Sequence, residues 1–234
     1  MTLSDLFYTA VIPPALATVM LGMGLSLTIG DLKRVVVFPK AVGTGLIGQL
    51  LLLPALAFLL SVVLGSSPVI AAGAIMLAAC PGGVTSNAYT FAARADVALS
   101  VTLTAIESVI TIFTIPLYAY FALSYYLGQG SAPDVPAGAM IRQLAMITVI
   151  PISCGMVFRA FRPELAARFV ELLRTATLYV LIALIVTAAA FSWEVVLENF
   201  VQAGLLVLTL NLLSMGMGYV LAKTVGLPVS QQVT

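Results

Sequence analysis

Long apolar runs, joined by very little polar chain, limit this sequence to few folds. Seven stretches reach the roughly 20 residues that a helix needs to cross a hydrocarbon layer. They are 6–28, 41–64, 69–93, 97–127, 138–161, 176–193 and 201–225. In lipid every backbone N–H and C=O has to find its partner within the chain, which leaves helices and closed barrels. Apolar runs of this length specify helices. Only 8% of residues are charged, against about 25% in a soluble domain. The expectation is an all-α, polytopic membrane protein: one membrane domain over residues 1–234 with seven transmembrane helices, embedded in membrane lipid.

The residue inventory excludes several function classes. A net charge of +1 leaves no basic surface for nucleic acid. Histidine is absent, which removes His-based catalysis and most zinc or copper sites. Cys80 and Cys154 lie in different apolar runs without metal or redox spacing and read as small apolar thiols. No Ser/His, paired-Asp or metal-ligand set is visible, so no enzyme and no cofactor are expected. Asp5 precedes the first apolar run, with no Lys or Arg. That is the wrong flank for a cleaved leader, so the run reads as a retained span.

Connector charges set an orientation. Lys33, Arg34 and Lys40 follow the first stretch, Arg94 the third, Arg159, Arg162, Arg168 and Arg174 the fifth, and Lys223 closes the seventh. The alternate connectors hold Asp5, Asp134, Glu194 and Glu198, with Arg142 as the exception. The positive-inside rule then places the N-terminus outside and the C-terminus in the cytoplasm of a cell (inner) membrane. Residues 128–136 read as an exposed loop. Residues 162–174 read either as a solvated connector or as a short helix on the inner face.

One stretch contradicts its own helix. Cys80-Pro81-Gly82-Gly83-Val84-Thr85-Ser86-Asn87 lies inside 69–93. Proline lacks the N–H and clashes with the preceding turn, and two glycines weaken the helix further. A helix broken at this depth is tolerable only when it is buried in protein or lines a wet cavity. The expectation is a break over Pro81–Asn87, opened by Pro81, Gly82 and Gly83, with Ser86 and Asn87 supplying oxygens. Cys80 reads as a bystander.

The next stretch opens at Asp96, which fits an N-cap. Ser100, Thr104, Glu107 and Thr111 follow on one helical face. Such a stripe of oxygens has two readings: hydrogen bonding within and between helices, or coordination of a hard cation. Glu107 is the only acid deep inside a span, about 15 Å from the start of its helix at 1.5 Å per residue. A carboxylate there costs about 2.5–3.5 kcal/mol, which makes it a candidate for ion or proton coupling. Gln49, followed by Pro54, and Asn211 and Ser214 read as helix–helix glue. The glycines at 22, 24, 216 and 218 read as packing residues.

Two blocks of residues resemble the bile acid:sodium symporter family. The first is Gly22-Met23-Gly24-Leu25-Ser26-Leu27, then Asp31 and Pro39-Lys40; the second is Pro81-Gly82-Gly83, Ser86-Asn87, Arg94 and Ala98-Leu99-Ser100. Gln49 and Pro54 fall between them at the family's spacing. The resemblance covers nearly the whole chain and implies an inverted-repeat transporter fold. In that fold, two broken helices cross near the membrane centre and bind two sodium ions beside a cavity for a small organic anion. It implies that Ser86, Asn87, Ser100 and Thr104 hold one sodium ion and that Gln49 helps to hold a second. The core would comprise the spans near 41–64, 69–93, 97–127 and 201–225, and the panel those near 6–28, 138–161 and 176–193. Residues 226–234 read as a loop leading into further chain. Against the family pattern the sequence is expected to lack the last two helices and to begin as nine-helix members do. Glu107 is not part of the pattern.

The expected activity is therefore sodium-coupled symport of a small organic anion, such as a bile acid or related carboxylate. The alternatives are a proton-coupled or metalloid-oxyanion permease using Glu107, and a seven-helix receptor. Nothing in the sequence signals an oligomeric state.

Overall fold

A computed structural model of the protein describes all residues except 1, 2, 29, 31–37, 128–135 and 233. Asp31, Lys33, Arg34, Asp134 and nearly all of the expected 128–136 loop thus lie outside the described residues, as do the side chains of Thr85, Glu171 and Arg174. Among the described residues no strand occurs. The protein is an all-α, polytopic membrane protein.

The chain opens with α1 (Leu3–Leu6), which passes through a π-helical turn, Phe7–Val11, into α2 (Ile12–Ser26). The next run is α3 (Pro39–Ile47), a second π turn at Gly48–Leu52, and α4 (Leu53–Val63). Both π turns directly precede prolines, Pro13-Pro14 and Pro54. A proline donates nothing to the carbonyl four residues back, and the ladder widens before it: Ile12 N–H bonds to Phe7 O, and Leu53 N–H to Gly48 O. Leu50 O, which residue 54 would otherwise have satisfied, accepts a hydrogen bond from the Tyr118 hydroxyl instead.

After this come α5 (Pro68–Ala79), α6 (Val84–Ala92), α7 (Val97–Leu127), α8 (Ala137–Phe161), α9 (Pro163–Phe191), α10 (Trp193–Thr224) and the short α11 (Val229–Gln232). Five described helical runs are long and apolar enough to cross a membrane: Phe7–Ser26, Pro39–Val63, Val97–Tyr126, Gly138–Phe161 and Trp193–Thr224. The other two expected spans look different. The stretch 69–93 is two short helices, and 176–193 lies mostly within α9, whose apolar end is Ile182–Phe191.

Two expectations need correction. Residues 162–174 are neither a connector nor a separate surface helix: they open the 29-residue α9. Pro163 sits at a first-turn position, where its missing N–H costs nothing. Glu194 and Glu198 are likewise not loop residues, because α10 begins at Trp193, with Glu194 in its first turn, where an acid suits the helix dipole.

The chain divides into two compact units, Met1–Ile29 with Arg142–Glu198, and Gly30–Ile141 with Asn199–Thr234. In the first unit α2 and α8 meet backbone to backbone. A Cβ on Gly24 would run into Ile152 O, and one on Gly155 would lie 2.6 Å from Leu21 O. The Arg159 guanidinium donates to Leu25 O at 2.9 Å, placing a cation at the C-terminal end of α2.

In the second unit α5 packs between α4 and α7 through small side chains. Ala57, Ala72, Ala74, Ala78 and Ala122 are buried around Ile75, together with Leu206 and Leu210 of α10. Small residues let membrane helices approach closely, which is how they gain packing energy in lipid.

Three helix ends of this second unit share one device. Gly65 (φ +58°), Arg94 (φ +54°) and Gly226 (φ +77°) adopt the left-handed conformation. In each case the next residue's N–H reaches five residues back: Ser66 to Ser61 O, Ala95 to Thr90 O, Leu227 to Ala222 O. These are Schellman caps. Each turns the chain sharply into a new helix, and the last two bring chain to the site below.

Candidate functional site

The site is built on the gap between α5 and α6. Cys80, the residue before proline, is extended (φ −70°, ψ 148°), the conformation that the Pro81 ring favours. Gly83 is extended as well (φ −87°, ψ 157°) and serves as the N-cap residue of α6. The opened backbone is thus Cys80–Gly83. This is shorter than the expected break over Pro81–Asn87, because the helix resumes at Val84 and places Ser86 and Asn87 in its first turn. The Ser86 N–H and hydroxyl both bond to Gly83 O, at 2.9 and 2.6 Å, and tie that first turn down.

Two polar groups of the gap, Cys80 O and Gly82 N–H, find partners across the fold. Cys80 N–H bonds to Leu77 O at 3.2 Å. Cys80 O accepts a hydrogen bond from the Gln49 side-chain amide at 2.9 Å, reaching over from the π turn. Pro81 has no N–H. Gly82 N–H donates to Glu107 Oε2 at 3.1 Å, from α7. Unpaired backbone in lipid costs several kcal/mol per group, so Gln49 and Glu107 are what make this gap tolerable. Cys80 is a bystander only through its thiol, which bonds to Met76 O of its own helix. Its carbonyl is half of the Gln49 contact.

The N-terminus of α7 brings the hydroxyls. Asp96 Oδ1 accepts Leu99 N–H at 3.0 Å, the N-cap bond that the sequence suggests. Four residues into α7, the Ser100 hydroxyl donates to Asn87 Oδ1 at 2.6 Å and joins α7 to α6. The Thr104 hydroxyl donates to Ser100 O at 3.0 Å. Thr102, Ser108 and Thr111 bond in the same way to carbonyls of α7. The bland reading of the stripe therefore describes Thr111, which bonds back within α7 and does not line the cavity described below. For Ser100 and Thr104 it accounts for the single hydroxyl proton only, and the oxygen lone pairs stay open to a cation.

These groups border a cavity of about 540 Å³. Of the polar and glycine residues singled out from sequence, Gln49, Gly82, Ser86, Ser100, Thr104, Glu107, Ser214 and Gly218 line it. Asn87 does not, although its amide oxygen touches Ser100, which does. Pro81 and Gly83 also stand outside the lining. Asn211 faces away and bonds to Val207 O. Among the described residues, Glu107 is the one acid in the lining and no Lys or Arg borders the cavity.

A model of the sodium bile acid symporter family matches residues 13–199. The chain belongs to that family. Among its relatives is a protein of Oryza sativa subsp. japonica named probable sodium/metabolite cotransporter BASS1, chloroplastic. It is 32% identical over 92% of this chain and 52% of its own length. Another is the uncharacterized sodium-dependent transporter YocS of Bacillus subtilis strain 168, 31% identical over 88% of this chain and 61% of its own. The chain thus spans between half and two thirds of these relatives' lengths. The gap, Gln49 and the N-terminal part of α7 all fall inside the region that the family model matches.

Some cavity residues escape sequence reasoning. Gln231, Gln232 and Thr234 line the cavity from a segment that reads as a loop. Asp96 N–H bonds to Ser230 O and to the Thr234 hydroxyl, both at 3.1 Å, so this segment docks on the start of α7. The usable signal is Gly226 followed by Pro228: a left-handed cap, then a proline preset for a first helical turn. The same pairing, Gly65 with Pro68, precedes α5.

Proposed function

We propose that the protein is a sodium-coupled symporter of a small organic anion, a bile acid or a related carboxylate. The observation that carries this reading is the gap at Cys80–Gly83, with Ser86, Asn87, Ser100 and Thr104 gathered at its edge. Hard cations take several oxygen ligands, and these side chains offer four without a competing basic group among the described residues of the cavity lining. Gln49 would contribute to a second sodium site from the other side of the gap, since its side-chain oxygen is left over when its amide bonds to Cys80 O. The relatives' names, sodium/metabolite cotransporter and sodium-dependent transporter, support the same activity.

In this reading the unit of residues 30–141 and 199–234 is the ion-binding core, and the other unit is the panel. The N-terminus lies outside and the C-terminus in the cytoplasm. Coupling is differential affinity: sodium favours the shape of the gap that the anion also prefers, so each raises the other's binding. A receptor has no need of an opened helix whose backbone is held by Gln49 and Glu107.

The test is uptake by proteoliposomes carrying the full-length protein, with a labelled bile acid and a panel of smaller carboxylates, in sodium against choline. Uptake should need a sodium gradient, and Asn87→Ala should abolish that dependence. Unchanged uptake by Asn87→Ala with the same sodium dependence would refute the sodium assignment. Acid-stimulated uptake in choline would instead favour a proton-coupled permease using Glu107.

A further inference from the structure

We propose that Glu107 is a cation ligand of the core, and that its carboxylate charge ties ion binding to the geometry of the gap. The proposal rests on the sodium-coupled reading and adds a residue that the family pattern does not contain. Glu107 sits deep in α7 and is only 5% exposed, yet its carboxylate borders the cavity. One oxygen, Oε2, accepts the Gly82 N–H at 3.1 Å. The contact is close: a Cβ on Gly82 would lie 3.2 Å from Oε2 and 3.6 Å from Thr104 Oγ1. Glu107 and Thr104 therefore converge on one point of the opened backbone.

A single N–H bond does not neutralise a carboxylate held out of water, and among the described residues the cavity lining supplies no basic side chain to do so. A monovalent cation beside Thr104 and Ser100 would provide the missing counter-charge. The helix stripe then has a division of labour. Ser100 and Thr104 contribute neutral oxygens, and Glu107 contributes the charge. Because Glu107 also holds Gly82 N–H, a cation drawn toward the carboxylate acts directly on the gap. This is how ion occupancy would reach the backbone of residues 80–83.

The closing experiment compares wild type, Glu107→Gln and Glu107→Asp of the full-length protein in detergent. Each is melted across a sodium chloride series at constant ionic strength with choline chloride. Glutamine keeps an acceptor for Gly82 N–H and removes the charge; aspartate keeps the charge on a shorter arm. Wild type should melt higher in sodium. Glu107→Gln should melt near wild type in choline and need at least about tenfold more sodium for the same shift. Glu107→Asp should keep a sodium-dependent shift at higher sodium. A full wild-type response in Glu107→Gln would overturn the proposal, because the residue would then be a hydrogen-bond acceptor alone. Loss of the response in Glu107→Asp as complete as in Glu107→Gln would overturn it too, since shape rather than charge would decide. If Glu107→Gln does not fold, Glu107→Asp alone decides: a sodium-dependent shift kept at higher sodium supports the proposal, and no shift at any sodium concentration overturns it. Failure of the underlying reading looks different: wild type itself would show no shift between sodium and choline.

Discussion

Two glycine-bearing stretches in apolar spans, Gly22-Met23-Gly24 and Pro81-Gly82-Gly83, look alike in composition and behave oppositely. At Gly24 the helix runs on unbroken, and the missing side chain lets α8 come to backbone contact. At Gly82 the helix is open, and the missing side chain lets a carboxylate from α7 reach the N–H. Proline makes the difference. Glycine alone weakens a helix by about 1 kcal/mol, while proline costs about 3 and disfavours the helical conformation in the residue before it. Pro54 shows the intermediate case. Without adjacent glycines it widens the ladder into a π turn, and a single hydroxyl repairs the loss.

The sharpest way to break the comparison is to put a side chain at each glycine. Gly24→Val should be the most damaging change in the molecule. Its Cβ would meet backbone atoms of Ile152 that have no rotamer to escape into, at a cost above about 3 kcal/mol. The expected outcome is loss of the monodisperse peak on size-exclusion in detergent. Gly82→Ala meets a flexible carboxylate instead, so that protein should fold and lose part of its sodium-dependent melting shift. Equal behaviour of the two variants would mean that both glycines serve packing only.

A second test asks whether the gap depends on distant side chains. Gln49→Leu keeps an apolar volume but leaves Cys80 O without the amide that satisfies it. Losing a typical hydrogen bond costs about 0.5–1.5 kcal/mol, so the melting temperature should fall even in choline. Tyr118→Phe orphans Leu50 O in the same manner. It should cost about 1 kcal/mol without altering the sodium dependence, because neither Tyr118 nor Leu50 lines the cavity. A changed sodium dependence in Tyr118→Phe would merge the two roles.

Much of this was legible in the sequence for physical reasons. The apolar runs dictate helices, since lipid offers no other partner for the backbone. Pro81 with two glycines locates the break, and the i, i+4, i+7 spacing puts Ser100, Thr104 and Glu107 on one face. The extent of the break was less legible. Where a helix restarts depends on what can cap it, here Gly83 with the Ser86 hydroxyl, and that is a local competition between turn and gap. The partners of the gap were hidden for another reason. Gln49 to Cys80 and Glu107 to Gly82 are pairings across 31 and 25 residues, set by helix packing rather than by any spacing. The docking of Ser230 and Thr234 on Asp96 is of the same kind.

The smallest expected effect concerns the third use of backbone freedom, the left-handed cap. Gly65 and Gly226 adopt positive φ without a Cβ to clash, but Arg94 holds φ +54° with a full side chain. The left-handed conformation costs a non-glycine residue about 1–2 kcal/mol. Arg94→Gly removes that strain and adds disorder to the unfolded chain, which offsets about half of the gain. The net expectation is a rise in stability below about 1 kcal/mol, read as a small increase in melting temperature, the same in sodium and choline. A fall would mean that the Arg94 side chain holds more stability than its backbone strain removes. It would also set this cap apart from the two glycine caps as a place where side chain outweighs backbone, the reverse of what Gly24 and Gly82 teach.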